Sequence, residues 1–157
     1  MDLKSYDLSD LLLAAIKSEI DSGNLYSDQV KYAKQTPLRT KFDFLSKEED
    51  HHRMILETMF RKLFPDREII IPEKTPVPLP DLGIMDSESP LNEVLERCME
   101  AELAARDYYL SIASIVGLST EMGAMLEYLS AMEKGHYTLL KLELDHLTID
   151  SEFPYPR

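Results

Sequence analysis

The stretch Phe44-Leu45-Ser46-Lys47-Glu48-Glu49-Asp50-His51-His52 returns 84 residues later as Tyr128-Leu129-Ser130-Ala131-Met132-Glu133-Lys134-Gly135-His136. Both copies read aromatic-Leu-Ser-x-x-Glu-x-x-His. On a helix, residues three apart lie one above the other, so each copy aims a carboxylate and an imidazole at a common point. A second correspondence surrounds the first. Shifted by 83, Leu12, Glu19, Ile20, Leu25 and Tyr26 fall on Leu95, Glu102, Leu103, Tyr108 and Tyr109. The chain is therefore built as two copies of one unit, and each unit carries Glu, Tyr seven later, and Glu-x-x-His about 30 residues after the first Glu.

Each unit reads as a helical hairpin. Only 5 Gly, no Trp and 44% hydrophobic residues, with long runs of helix formers, point to an all-α protein, and 157 residues suit a single domain over 1–157. The first helix is expected over 8–33, capped by Asp7 or Ser9. The second is expected over 37–63, with Thr36 as cap and Pro37 in the first turn. Pro65, Pro72, Pro76, Pro78, Pro80 and Pro90 interrupt the stretch between the halves, which predicts an extended crossover over 65–89. A long crossover lets the third helix run parallel to the second. That third helix starts behind Ser89-Pro90 and ends at Gly117. The fourth follows from Ser119 or Thr120 to about 147, and an irregular tail is expected over 148–157. The expected fold is a four-helix bundle of two pseudo-symmetric hairpins, 8–64 and 90–147.

Glu19 and Tyr26 are two turns apart and share a face, about 10 Å apart along the axis. Glu102 and Tyr109 repeat this. A return through a short loop brings Glu49 back beside Glu19. Two helices thus offer one Glu each, and two offer Glu-x-x-His, the ligand set of di-iron and di-manganese bundle proteins. Metal ligands are accordingly expected at Glu19, Glu49, His52, Glu102, Glu133 and His136. Four buried carboxylates without compensation are very costly, and two divalent ions supply the missing positive charge. Oxygen and imidazole donors without thiolate favour iron or manganese over structural zinc.

These residues resemble the rubrerythrin branch of the ferritin-like di-iron carboxylate proteins over residues 8–147. The resemblance implies that Glu19, Glu49, Glu102 and Glu133 bridge or cap two iron ions and that His52 and His136 each bind one. It also makes Tyr26 and Tyr109 hydrogen-bond donors to ligand carboxylates. It implies reduction of hydrogen peroxide or dioxygen at the di-iron site. Rubrerythrins proper add a domain with iron held by four cysteines, whereas Cys98 is the one cysteine of this sequence. An external electron donor, such as a separate rubredoxin or a reductase, is therefore expected. The extra glutamate that rubrerythrins carry one turn after the third-helix ligand is Ala105 here. Bacterioferritin shares the six ligands but has a haem-binding Met where this chain has Asp50, and ferritin proper lacks the second Glu-x-x-His.

Several bland readings stand beside these. A lone Glu-x-x-His is most often a solvated charge pair, and Glu48 with His51 and Glu143 with His146 have no symmetric counterpart, so both are expected on the surface. Cys98 reads as a small core residue like its counterpart Ala15. Glu100, two residues from Glu102, faces another way. The net charge of −12 speaks against nucleic-acid and anionic-membrane partners, which need clustered Lys and Arg. The longest apolar run, Leu11 to Ile16, falls far short of the ~20 residues of a membrane span. A cytoplasmic homodimer is the expected form. The same site also admits an iron-storage or ferroxidase protein, a di-iron hydroxylase with an apolar pocket beside the metals, or a structural metal protein.

Overall fold

The computed structural model describes residues 3–73 and 85–152. After a short 3-10 turn at Leu3–Ser5 come four helices: α1 (Leu8–Tyr32), α2 (Thr36–Leu63), α3 (Leu91–Val116) and α4 (Glu121–Glu152). The packing is a four-helix bundle in which α1 pairs with α2 and α3 with α4. Its directions follow from side-chain pairings. Gly23 and Glu19 of α1 meet Ser46 and His52 of α2 respectively, so these two helices are antiparallel. Tyr26 and Tyr109 bond to Glu102 and Glu19 respectively, so α1 and α3 are antiparallel as well. Helices α2 and α3 consequently run parallel, as a long connection between them requires. Most of the proline-rich part of that connection, 74–84, lies outside the described residues.

The periodicity that predicts the helices also dictates their buried faces. Helix α1 buries Leu11, Leu12, Ala15, Ile16, Glu19 and Tyr26; α2 buries Leu38, Phe42, Leu45, Glu49, His52, Leu56 and Phe60. Along each helix the buried Glu and His residues stand between apolar ones. The result is two apolar plugs. One contains Leu12, Ile16, Leu56, Phe60, Tyr109, Ile112, Leu126 and Leu129, and the other Tyr26, Phe42, Leu45, Val94, Leu95, Cys98 and Leu140. Each fully buried Leu or Phe contributes about 1.5–3 kcal/mol, and these layers sustain the polar layer between them.

The helix ends differ in detail from expectation. Asp7 is the N-cap of α1 but makes no side-chain capping bond, while Ser9 is buried and accepts a hydrogen bond from Arg67 Nη1 at 3.0 Å. Gln35, not Thr36, caps α2, because Thr36 already has helical backbone and its carbonyl accepts the Thr40 hydroxyl at 3.1 Å. Pro90, not Ser89, precedes α3; the Ser89 hydroxyl instead closes a turn by accepting the Asp86 N–H at 3.0 Å.

Between α3 and α4 the expectation holds. Gly117 leaves α3 with φ 95°, a left-handed conformation that glycine adopts freely. Thr120 caps α4 by accepting the Gly123 N–H at 2.9 Å. At the other end α4 continues to Glu152, five residues beyond its expected limit at 147. No Gly or Pro occurs from Thr148 to Glu152, so nothing in the sequence stops the helix before the stretch leading to Pro154.

Candidate metal centre

At mid-height the four helices bring together all six residues expected there. Glu19, Glu49, His52, Glu102, Glu133 and His136 are each at most 3% exposed. The two imidazole rings stack at 5.3 Å between centroids, 15° from parallel. His52 Nδ1 lies 2.9 Å from Glu133 Oε1, 3.5 Å from Glu19 Oε2 and 3.9 Å from Glu49 Oε2. His136 Nδ1 lies 3.1 Å from Glu49 Oε1, 3.1 Å from Glu133 Oε2 and 3.5 Å from Glu102 Oε2. The arrangement obeys the pseudo-twofold symmetry of the sequence. Glu49 and Glu133 present an oxygen to each imidazole, whereas Glu19 serves the His52 side and Glu102 the His136 side.

The tyrosines complete the symmetry by crossing it. Tyr26 of α1 donates its hydroxyl to Glu102 of α3, and Tyr109 of α3 donates to Glu19 of α1. Burial and the adjacent carboxylates hold both phenols well above their ordinary pKa, so both stay protonated donors. Each Tyr therefore secures the carboxylate of the opposite hairpin, a pairing that spacing within one helix cannot reveal. Phe44 is a further neighbour of the cluster. It turns its ring edge-on to His136, at 6.4 Å and 86°, so an aromatic of one copy flanks the histidine of the other.

The donor set fits a cation. Glu19 Oε2, Glu49 Oε1, both ring nitrogens of His52, Glu133 Oε1 and His136 Nε2 are buried with no hydrogen-bond partner, so several short approaches in the cluster lack hydrogen-bond geometry. Unpaired buried polar atoms are costly, and a shared cation satisfies them together. Glu49, His52, Glu133 and His136 each offer a ligand atom within 4.8 Å of the others.

Without a cation, protons must supply the compensation. Burial, followed by the charges of Glu19, Glu102 and Glu133, drives Glu49 well above the usual carboxylate range. Burial also takes Glu102 up to about 8, against the opposing pull of His136. Burial works to depress both imidazoles, but Glu133 and Glu19 bring His52 up to about 10, and Glu102 and Glu133 bring His136 up to about 9. Glu133, which burial would raise, is held at about 2 by the two imidazoles.

The remaining candidates fall away from the cluster. His51 is exposed and pairs with Glu48 at 3.3 Å, the expected surface pair. Glu143 does not form the expected pair with His146; its carboxylate reaches across to Lys41 of α2, a cation brought to it by the antiparallel packing. Cys98 is fully buried, and burial pushes its thiol up to about 12, so it stays protonated as a core residue. Glu100 is exposed and Ala105 packs against the apolar plug around Tyr109. An apolar groove of about 560 Å³ lies between α2 and α4, lined in part by Met54, Ile55, Met59, Leu63, Met122 and Met125. Ile55 is one turn beyond His52, but none of the six clustered residues lines this groove.

A buried layer of four glutamates and two histidines inside a four-helix bundle of two hairpins defines a ferritin-like carboxylate protein. The rubrerythrin family pattern matches residues 10–144, and the chain belongs to the rubrerythrin family. A solved structure from Pyrococcus furiosus, described as a hypothetical protein, superposes with a TM-score of 0.79 at 28% identity over 92% of each chain. A search of curated proteins finds no match. Among the described residues, no helix is long and apolar enough to cross a membrane.

Proposed function

We propose that Glu19, Glu49, His52, Glu102, Glu133 and His136 hold two iron ions and that the protein reduces hydrogen peroxide, or dioxygen, with electrons from an external donor. The observation that carries this reading is the division of the carboxylates: two are shared between both imidazoles and one is private to each. That is a two-centre arrangement rather than a single closed site. When bound, two ferrous ions supply the two electrons that, with two protons, convert one hydrogen peroxide into two waters.

The chain's own residues account for the rest. Glu49 and Glu133 face both centres, and Glu19 and Glu102 complete one centre each. The phenols of Tyr109 and Tyr26 fix the free oxygens of Glu19 and Glu102, and such partners tune and orient metal ligands. The apolar plugs on either side exclude bulk water. Because no ligand residue lines the apolar groove, a small oxidant suits the site better than an organic substrate. A cytoplasmic homodimer served by a separate rubredoxin or reductase belongs to the same proposal.

The test uses protein loaded with iron without oxygen, then titrated with peroxide. Two irons per chain and complete oxidation by one equivalent of peroxide are expected. An iron-loaded, fully reduced protein that peroxide leaves unoxidised would overturn the assignment.

A further inference from the structure

We infer that the cleft between α1 and α2 is the route by which an uncharged, water-sized polar solute, hydrogen peroxide above all, reaches the cluster; this rests on the metal-centred reading given above. A cavity of about 370 Å³ opens between these helices, and Glu19 lines it. Glu19 is 2% exposed, and its Oε2 has no hydrogen-bond partner. Glu19 is also a residue of the cluster, so the open cleft leads from the surface to the cluster itself.

Gly23 leaves one wall of the cleft without a side chain. An added Cβ there would already sit 3.5 Å from Glu49 Cβ, and the Gly23 carbonyl accepts the Ser46 hydroxyl at 3.0 Å, so the helices approach closely with no side chain filling the gap. Asn24 and Ser27 line the outer part and offer an amide and a hydroxyl.

Charge selects the kind of solute. Both cationic side chains that line the cleft are neutralised by near neighbours: Arg53 lies 2.7 Å from Asp50 and 2.5 Å from Glu57, and Lys47 lies 2.6 Å from Asp43. The mouth therefore has no unbalanced positive charge to concentrate an anion. Its walls are of mixed character, with Ile20 beside Asn24, Ser27 and Ser46. A small neutral molecule with donors and acceptors finds partners in the Asn24 amide and the Ser27 hydroxyl.

The other half of the chain departs from symmetry at these positions. Where α1 has Gly23 and Ser27, α3 has Arg106 and Leu110; where α2 has Asp50 and Arg53, α4 has Lys134 and Tyr137. Lys134 lies over the Tyr137 ring, 4.1 Å from its centroid. The duplicated ligands are kept, and so is Ser46 as Ser130, but Gly23 and Ser27 of the Glu19 side have the bulky counterparts Arg106 and Leu110.

Ser27→Leu, which installs the counterpart residue, and Asn24→Leu both alter exposed positions on α1. Each is loaded with Mn(II), and metal stoichiometry and bulk-water proton relaxation are measured, with Ser114→Leu on α3 as control. Two Mn(II) per chain with a severalfold loss of relaxation enhancement in both cleft variants, but not in the control, is the expected result. The peroxide oxidation rate of the di-ferrous protein falls in parallel. If both cleft variants bind two Mn(II) and relax water like the parent, the route is overturned while the metal reading stands. If the parent itself binds no Mn(II), the metal reading falls and the route with it.

Discussion

Tyr109 donates to Glu19 and Tyr26 to Glu102, so removal of either hydroxyl frees a buried carboxylate oxygen without changing the shape of the core. Tyr109→Phe keeps the ring, which packs in the plug with Leu12 and Ile112. Loss of a hydrogen-bond partner to a metal ligand typically lowers affinity about 10–100-fold. Tyr109→Phe and Tyr26→Phe should each weaken Mn(II) binding by about that factor, read by equilibrium titration, while the circular dichroism of the bundle is retained. Unchanged affinity in both would show that the phenols only fill space.

At the scale of the element, the α3–α4 connection is closely packed at Gly123. An added Cβ at Gly123 would stand 2.2 Å from the Gly117 carbonyl oxygen, a clash with backbone that no side-chain rotation relieves. Gly135 lies in the interior of the same helix, and a Cβ there meets nothing within 4 Å. The two glycines should therefore respond oppositely to alanine. Gly123→Ala should destabilise by about 1–3 kcal/mol through overpacking. Gly135→Ala should stabilise by about 0.5–1 kcal/mol, since alanine loses less backbone entropy in a helix. Urea unfolding of both variants without metal checks the signs; a loss of stability in Gly135→Ala would mean that the exposed face of α4 is covered in solution.

For the molecule as a whole, the buried cluster sets the pH dependence. His52 and His136 are raised above 6.5, to about 10 and about 9, so their contribution is complete below about 6.5 and lost as pH rises through those values. Glu102, raised to about 8, binds its proton more tightly folded than unfolded, so stability also falls as pH climbs from about 4.5 toward 8. Glu133, lowered to about 2, acts on the acid side: its contribution is present above about 4.5 and lost as pH falls toward 2. The metal-free protein should thus be most stable near pH 4.5, and its Tm should fall steadily from there toward pH 9. Divalent metal takes the deprotonated ligands, so binding should release protons and tighten with pH, narrowing the alkaline loss. Thermal scans at pH 5, 7 and 9 with and without Mn(II) read this directly; a metal-free Tm that rises with pH would contradict it.

The six clustered residues were legible in the sequence because helical periodicity converts spacing into a shared face, and because duplication distinguishes Glu49 with His52 from the solvated pair Glu48 with His51. The hairpins and most helix limits were legible for the same local reason. Relations between helices were not. That Tyr26 bonds to Glu102 and Tyr109 to Glu19, that Glu143 answers Lys41 rather than His146, and that Glu49 and Glu133 each face both imidazoles all depend on which residues antiparallel packing sets at equal height. Helix ends such as Gln35 and Glu152 followed from small local balances that residue preference alone does not resolve. Spacing along one chain thus determined what each helix offers to the centre, and the tertiary structure decided how those offers are shared, because donor geometry is a property of several helices at once.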